Sequence, residues 1–436
     1  MFNKSIFIGL FSSLALGSAI AGDAGFKLEP LHVNGMIEAG ELVSFISSQS
    51  GPIAPNDLGS ENSTSELIDH SAVWFLQEAS LTDNIKVFLG VGGTYFFYLP
   101  ASGAKNNTYG VGQRSAFGLT DAHGEFEFLR HGESDHGILL KAGVFNFKYN
   151  EDAKNLGEYM FRTYTYPNII MTGGLVLVNT AGAQLNGLDA NTRYGGFTND
   201  LLLTDKTSQV PTGSLSLTDI VSYTYRNFLT VGGGFMFDNF YNPDGVADGI
   251  SVAGAYVNTS PEYYIENGDT LHYKFAGQKV MVRAALDIGT LIGSSFLSDK
   301  DLRLYGEAIL MGLKDYPIFY PKMANRIAYM GGVNLPTLHV LDLLSLEFEY
   351  FRNPNGDNTS KVTGGFAPIP SDPDIGHEQV KWTVYVKKNV VKGFSISAQA
   401  ANDHTRLVDF YGHTNDVTSM QRHKDWYWAL QLNYSI

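Results

Sequence analysis

Two acid–histidine pairs, Asp121 with His123 and Asp403 with His404, are the nearest this sequence comes to a catalytic arrangement. A carboxylate that orients an imidazole supports nucleophile activation only when a hydroxyl or thiol stands beside it. Adjacent residues of an extended strand point to opposite faces, so Asp403 and His404 cannot readily cooperate, whereas Asp121 and His123 share a face. No serine nucleophile is identifiable beside them from spacing. The chain has no cysteine, which removes thiol nucleophiles, disulfides, cysteine-ligated metals and a lipid-modified cysteine together. Its 11 histidines are scattered, without HExxH or a comparable ligand spacing. Glycines 90, 92 and 93, and 232 to 234, sit inside strand-like runs, whereas a phosphate-cradling loop needs a helix after it. The acidic turns 242–249 (NPDGVADG) and 371–374 lack EF-hand spacing, and turn chemistry accounts for their Pro, Asn, Asp and Gly. The expectation is a chain with no enzyme activity, no cofactor and no metal site.

The elements that would have to position any functional group are set by an unusual composition. Of 436 residues, 17% are charged, against about 25% in typical soluble domains, while Gly (47), Tyr (24) and Phe (28) are abundant. Such a chain is too aromatic and too poor in charge to be disordered. A net charge of −14 leaves no basic footprint for nucleic acid. Residues 1–21 read as a secretory signal, with Lys4 as the charged region, Ile6 to Leu16 as a short apolar run and Ala19-Ile20-Ala21 as the cleavage site. Nothing after residue 21 approaches the roughly 18 to 20 apolar residues of a membrane-spanning helix. Export without such helices leaves the periplasm, secretion, or an outer-membrane β-barrel, the other backbone that satisfies its hydrogen bonds in lipid.

Alternation with a period of two decides among them. At the C-terminus Trp426, Trp428, Leu430, Leu432, Tyr434 and Ile436 share one face, and Tyr427, Ala429, Gln431, Asn433 and Ser435 the other. The segments 344–350, 394–400 and 85–97 repeat the pattern. Many runs reach ten residues or more, the length a tilted strand needs to cross a membrane. Aromatics at run ends (Tyr95, Phe97, Tyr223, Tyr225, Trp426, Trp428) fit interfacial girdles. Short connections fall near 81–84, 130–136, 186–193, 226–227, 289–300, 335–341 and 388–393; long ones near 46–70, 99–115, 150–168, 205–213, 242–270, 317–325, 355–377 and 405–422. Seven turns and eight loops join sixteen strands of an all-β, transmembrane, antiparallel up-and-down barrel. Boundaries are weakest over 168–205, so 14 or 18 strands stay open. Residues 22–436 form one domain.

With these patterns the chain resembles the bacterial outer-membrane porins over residues 31–436. The resemblance implies that the C-terminal strand is a signal for the barrel-assembly machinery, although it ends in Ile436 where the family usually has Phe. It also implies that the third external loop, 150–168, folds into the lumen, which makes Glu151, Asp152, Lys154, Glu158 and Arg162 candidate constriction residues. Asn155 to Arg162 also suits one or two helical turns, with Glu158 and Arg162 four apart. A homotrimer is a family habit.

If the apolar phase faces lipid, the opposite phase faces the lumen. That places Asp121, His123, Glu125 and Glu127 inside on one strand, and Lys279, Arg283, Arg303 and Glu307 inside on two strands near the opposite wall. Glu347, Glu349 and Lys381 complete the lumen-facing charges. Opposed acidic and basic walls would set a transverse field that screens polar solutes from apolar ones. Two charges break the phase. Asp219 falls among Leu215, Leu217, Val221 and Tyr223, and Lys141 conflicts within 137–149; a β-bulge that resets the phase is favoured over a subunit interface. The expected function is a water-filled channel for small hydrophilic solutes, with a weak cation preference from the net charge and Glu125, Glu127, Glu347 and Glu349. A substrate-specific transporter for a hydrophobic or siderophore-like ligand and a non-conducting adhesive barrel are the alternatives.

Overall fold

The computed structural model describes residues 26–43, 65–100, 112–128, 137–161, 179–187, 190–205, 215–241, 263–272, 277–293, 296–298, 300–310, 312–313, 322–351, 380–402 and 426–436. The leader 1–21, Arg162 and the pair Asp403–His404 lie outside them.

Sixteen strands build one barrel: β1 His32–Val43, β2 Ser65–Thr82, β3 Ile85–Pro100, β4 Gly112–Phe128, β5 Ile138–Asn146, β6 Asn179–Asn186, β7 Gly195–Asp205 and β8 Leu215–Tyr225 form the first half. The second half is β9 Leu229–Tyr241, β10 Gly277–Asp287, β11 Arg303–Leu310, β12 Ile327–Asn334, β13 Leu343–Phe351, β14 Val380–Val391, β15 Phe394–Ala401 and β16 Trp426–Ser435. Each strand pairs antiparallel with its sequence neighbours, and β16 pairs with β1 from Asn34↔Ser435 to Val43↔Trp426. The sheet therefore has no free edge, the condition a β-structure must meet in hydrocarbon. The strand count is the sixteen that the connection lengths predict. Several strand ends, such as Ser65, Pro100, Gly112 and Val391, fall inside the predicted connections, while β6 begins only at Asn179, past the predicted loop end at 168, and β10 only at Gly277, past 270. Short pieces accompany the barrel: Lys27–Leu28 pairs with β2, Ala190–Thr192 with β7, and Tyr263–Glu266 forms a separate two-stranded hairpin with Asp269–His272.

Alternation does what the period requires. Val231, Val282, Phe348 and Trp428 are exposed on the outer face, while Lys279, Glu307, Ser345 and Glu347 are buried on the inner one. Where two phases meet, the register shifts: Gly90 pairs with Asp121 but Val91 with Leu119, so Thr120 bulges from β4. The bulge lets Phe117 and Leu119 face outward while Asp121 and His123, on the same numerical phase, face inward.

The two phase conflicts resolve differently from expectation. No bulge lies at Asp219, because β7–β8 pairing runs unbroken from Leu215↔Asp205 to Tyr225↔Gly195 and the only β8–β9 shift falls between Leu215 and Leu217. Asp219 stays on the outer face, exposed, and accepts a hydrogen bond from Asn199 Nδ2 at 2.6 Å. Lys141 needs no bulge either. It faces inward opposite Gln184 and Glu125, and the apolar residues of its phase face inward with it. Phe145 is fully buried there, its ring against that of His123.

Candidate functional site

The chain leaves the wall at the end of β5 and enters the barrel. Residues 147–161 carry no helix; they are turns and bends, so the helical reading of Asn155 to Arg162 is corrected over its described part, Asn155 to Phe161. The reason is local: Gly157 (φ 87°) and Glu158 (φ 57°) are consecutive left-handed residues, which end any right-handed helix. A side chain at position 157 would also meet Met330 on β12, so glycine serves both conformation and close approach. Glu158, which lacks glycine's freedom, is held by two bonds: its N–H donates to Glu307 Oε2 at 3.0 Å and its Oε1 accepts from Asn150 N at 2.8 Å.

Two inward carboxylates fix this segment. Glu347, in the middle of β13, accepts three successive backbone N–H groups, from Lys154 (2.5 Å), Asn155 (2.8 Å) and Leu156 (2.9 Å), and the Tyr305 hydroxyl at 2.9 Å. Glu307, in the middle of β11, accepts the N–H groups of Glu158 and Tyr159, both at 3.0 Å, the Tyr149 hydroxyl at 2.5 Å and Asn150 Nδ2 at 3.0 Å. Both carboxylates are almost fully shielded from solvent. A charge removed from water needs such replacement donors, and a run of N–H groups turned toward one anion supplies them. Each charge-assisted bond contributes on the order of 1.5–3 kcal/mol.

Other side chains finish the clamp. Asp152 forms a bidentate pair with Arg303 of β11, Nε–Oδ1 2.5 Å and Nη2–Oδ2 2.9 Å. Tyr159 Oη donates to Glu349 Oε2 at 2.7 Å, and Lys279 Nζ of β10 donates to the Met160 carbonyl at 2.8 Å. Asn155 Nδ2 reaches Thr383 Oγ1 of β14 at 2.8 Å. Beneath these bonds Tyr149, Leu156, Tyr159 and Met160 pack on an apolar patch of the inner wall formed by Ile220, Met236, Met281, Ile309 and Met330. Sequence reading missed that patch, because period two assigned the inner phase to polar residues. Its signal was present: Met236, Met281 and Met330 all lie on inward positions that a wholly wet lumen would leave polar.

The opposite wall, β3 to β7, keeps its charges in small groups. Asp121 bonds His123 Nδ1, His123 Nε2 lies 3.4 Å from Glu125 Oε1, and Lys141 Nζ lies 3.1 Å from the same oxygen. The imidazole is stacked on Phe88 (4.5 Å between centroids, 9° between planes). Asp200 accepts from Gln184 (2.8 Å) and Asn186 (2.6 Å). Glu127, half-buried, follows Glu125 on the same inward phase.

All the candidate charges on β4, β10, β11, β13 and β14 thus project from the inner face, but they divide into two sets. Glu307, Glu347, Glu349, Lys279 and Lys381 are buried, most of them in bonds to the inward segment; Asp121, Glu125, Glu127, Arg283 and Arg303 are only half-buried, Arg303 in its pair with Asp152. Charges also pair within a wall. The register sets Arg283 opposite Glu307, Lys141 opposite Glu125 and Lys381 opposite Glu349. A field between two single-sign walls is correspondingly weakened. On the segment itself Glu151 is exposed and Lys154 half-buried, and burial together with the neighbouring Lys148 charge pulls the Lys154 ammonium down to about 8.

No family model matches the chain, and no curated protein matches it. Among solved structures, two mutant forms of the Rhodopseudomonas blastica porin match 94% of this chain and 100% of their own, at 8% identity and TM-scores of 0.41 and 0.42. A structure titled "Asymmetric conductivity of engineered proteins" matches with the same coverage, 8% identity and a TM-score of 0.41. The likeness carries no residue-by-residue correspondence.

Proposed function

We propose that this protein is an outer-membrane diffusion channel for small hydrophilic solutes, exported by its leader 1–21 and narrowed by the inward segment 147–161. The observation that carries the reading is the clamp: a closed barrel has a polypeptide segment fixed across its interior at mid-strand by Glu307 and Glu347. A purely structural barrel has no need of a crossbar, and a channel that must exclude large solutes does. Among the half-buried or exposed charges described on the inner wall and on the segment, the anions Asp121, Glu125, Glu127, Glu151, Asp152, Glu158 and Asp200 outnumber the cations Lys141, Lys148, Lys154, Arg283 and Arg303, which favours cations weakly. Reconstitution of the purified chain in a planar bilayer tests the reading. Stable ohmic steps with a small cation-directed zero-current potential are expected; a silent bilayer from folded protein rejects the channel, and an anion-directed potential rejects the selectivity.

A further inference from the structure

The end of the barrel that carries the short connections is not uniform. On the β2–β9 side the connections are polar or aromatic-cationic: Asp83 and Asn84 join β2 to β3, and Arg226 joins β8 to β9 with its guanidinium over the rings of Tyr194 (5.7 Å) and Tyr225 (5.3 Å). On the β10–β16 side they carry exposed apolar side chains. The β10–β11 connection carries Leu291, Ile292 and Phe296, the last 78% exposed. Leu338 and Val340 (72% exposed) follow between β12 and β13, and Val390 and Val391 close β14. Ile436, just past β16, is 81% exposed. Among the described residues at this end outside that sector, no apolar side chain reaches half exposure; Tyr194, at 48%, comes nearest.

These connections form one ledge. Thr337 N donates to Asp301 at 3.2 Å, its hydroxyl lies 2.8 Å from the Leu341 carbonyl and 3.1 Å from Asp301 Oδ1, and Ser298 Oγ lies 3.2 Å from His339 Nδ1. Lys388 Nζ donates to the His339 carbonyl at 3.1 Å, and Asn389 N donates to the Asp342 carboxylate. Lys300, four residues after Phe296, and Lys392, next after Val391, are exposed.

A large exposed apolar patch rimmed by charge marks an interaction surface. Its occupant follows from position and charge. The ledge continues, within a few residues of the strand ends, the outward apolar band of the same strands (Val282, Leu304, Phe348, Leu430). Beyond the hydrocarbon a bilayer has a headgroup zone of about 5–8 Å per leaflet, where aliphatic side chains and lysines sit together, the ammonium groups against lipid phosphates. We infer that the ledge lies in that zone, with phospholipid as its occupant, so that the barrel is seated deeper on its β10–β16 side than on its β2–β9 side.

The inference rests on the transmembrane reading of the barrel, and the absence of cysteine makes both testable at single sites. The full chain is reconstituted as F296C, V340C, D83C or V282C, labelled with an environment-sensitive fluorophore, in phosphatidylcholine–phosphatidylglycerol vesicles. Headgroup-spin-labelled lipid should quench F296C and V340C, which should resist aqueous iodide several-fold better than D83C. Iodide quenching of F296C and V340C equal to that of D83C, or protection from both quenchers as a second copy of the chain would give, overturns the inference while V282C still reports deep lipid. Iodide quenching of V282C as well overturns the transmembrane reading and the inference with it.

Discussion

The two inner walls of this barrel obey the same alternation and do opposite things with it. Under the inward segment, β10 to β14 bury Glu307 and Glu347 in full sets of hydrogen bonds and surround them with Met281, Ile309 and Met330, as a protein core would. Across the lumen, β4 to β7 leave Asp121, Glu125 and Asp200 only half-buried among other polar groups. A carboxylate on an inward position is therefore no guide to its role. Where it meets backbone N–H groups it positions a segment, and where it stays half-buried beside lysine and histidine it would, on the proposed channel reading, set the field a solute meets.

Removing one anchor should separate these roles most sharply. Glu347→Ala leaves three backbone N–H groups without their acceptor, at about 1–3 kcal/mol for each group that stays buried, while the Tyr305 hydroxyl keeps Ser345 Oγ at 2.6 Å. The expected outcome is a larger and noisier single-channel conductance in a barrel that still assembles; unchanged conductance would break the distinction. Gly157→Ala is next. A left-handed backbone costs an L residue about 1–2 kcal/mol, and the new methyl meets Met330, so the same change in conductance is expected in smaller measure. Arg303→Met removes a bidentate pair that solvent partly reaches, for about 1 kcal/mol after screening, and should raise current noise with little change in mean conductance.

On the other wall Glu125→Gln should leave conductance nearly unaltered and move the zero-current potential toward anions, since it removes an anion without loosening the crossbar. The smallest effect concerns pH. Lys154 has its ammonium pulled down to about 8 by burial and the Lys148 charge, so it is charged below that pH and neutral above it. Cation preference should then rise as pH passes from 7 to 9, a rise absent in Lys154→Met; identical pH curves for the two proteins would dismiss Lys154 as a charge the solute meets.

The strand count was legible because it rests on two independent periods, alternation within strands and alternation of connection length. The inward phase of Glu307 and Glu347 was legible as well, from Leu346 and Phe348 on one side of β13 and the neighbours of Glu307 on β11. Their use was not, since hydrogen bonds from residues 149–159 to β11 and β13 join parts of the chain that no local pattern connects. Lys141 was misread for a related reason. Phe145 is apolar yet faces inward against His123, and a rule that equates apolar with lipid assigns the wrong phase to its whole strand. At Asp219 the rule failed in the other direction: the charge does stand on the outer face, with Asn199 as its partner.

Swelling of proteoliposomes in a graded series of uncharged sugars tests the central claim most directly, by comparing the wild-type chain with Glu307→Ala/Glu347→Ala. A crossbar held by these two carboxylates predicts that the wild type admits small sugars and excludes larger ones, and that the double variant raises the size limit. The same size limit in both proteins, or no swelling in either, would contradict it.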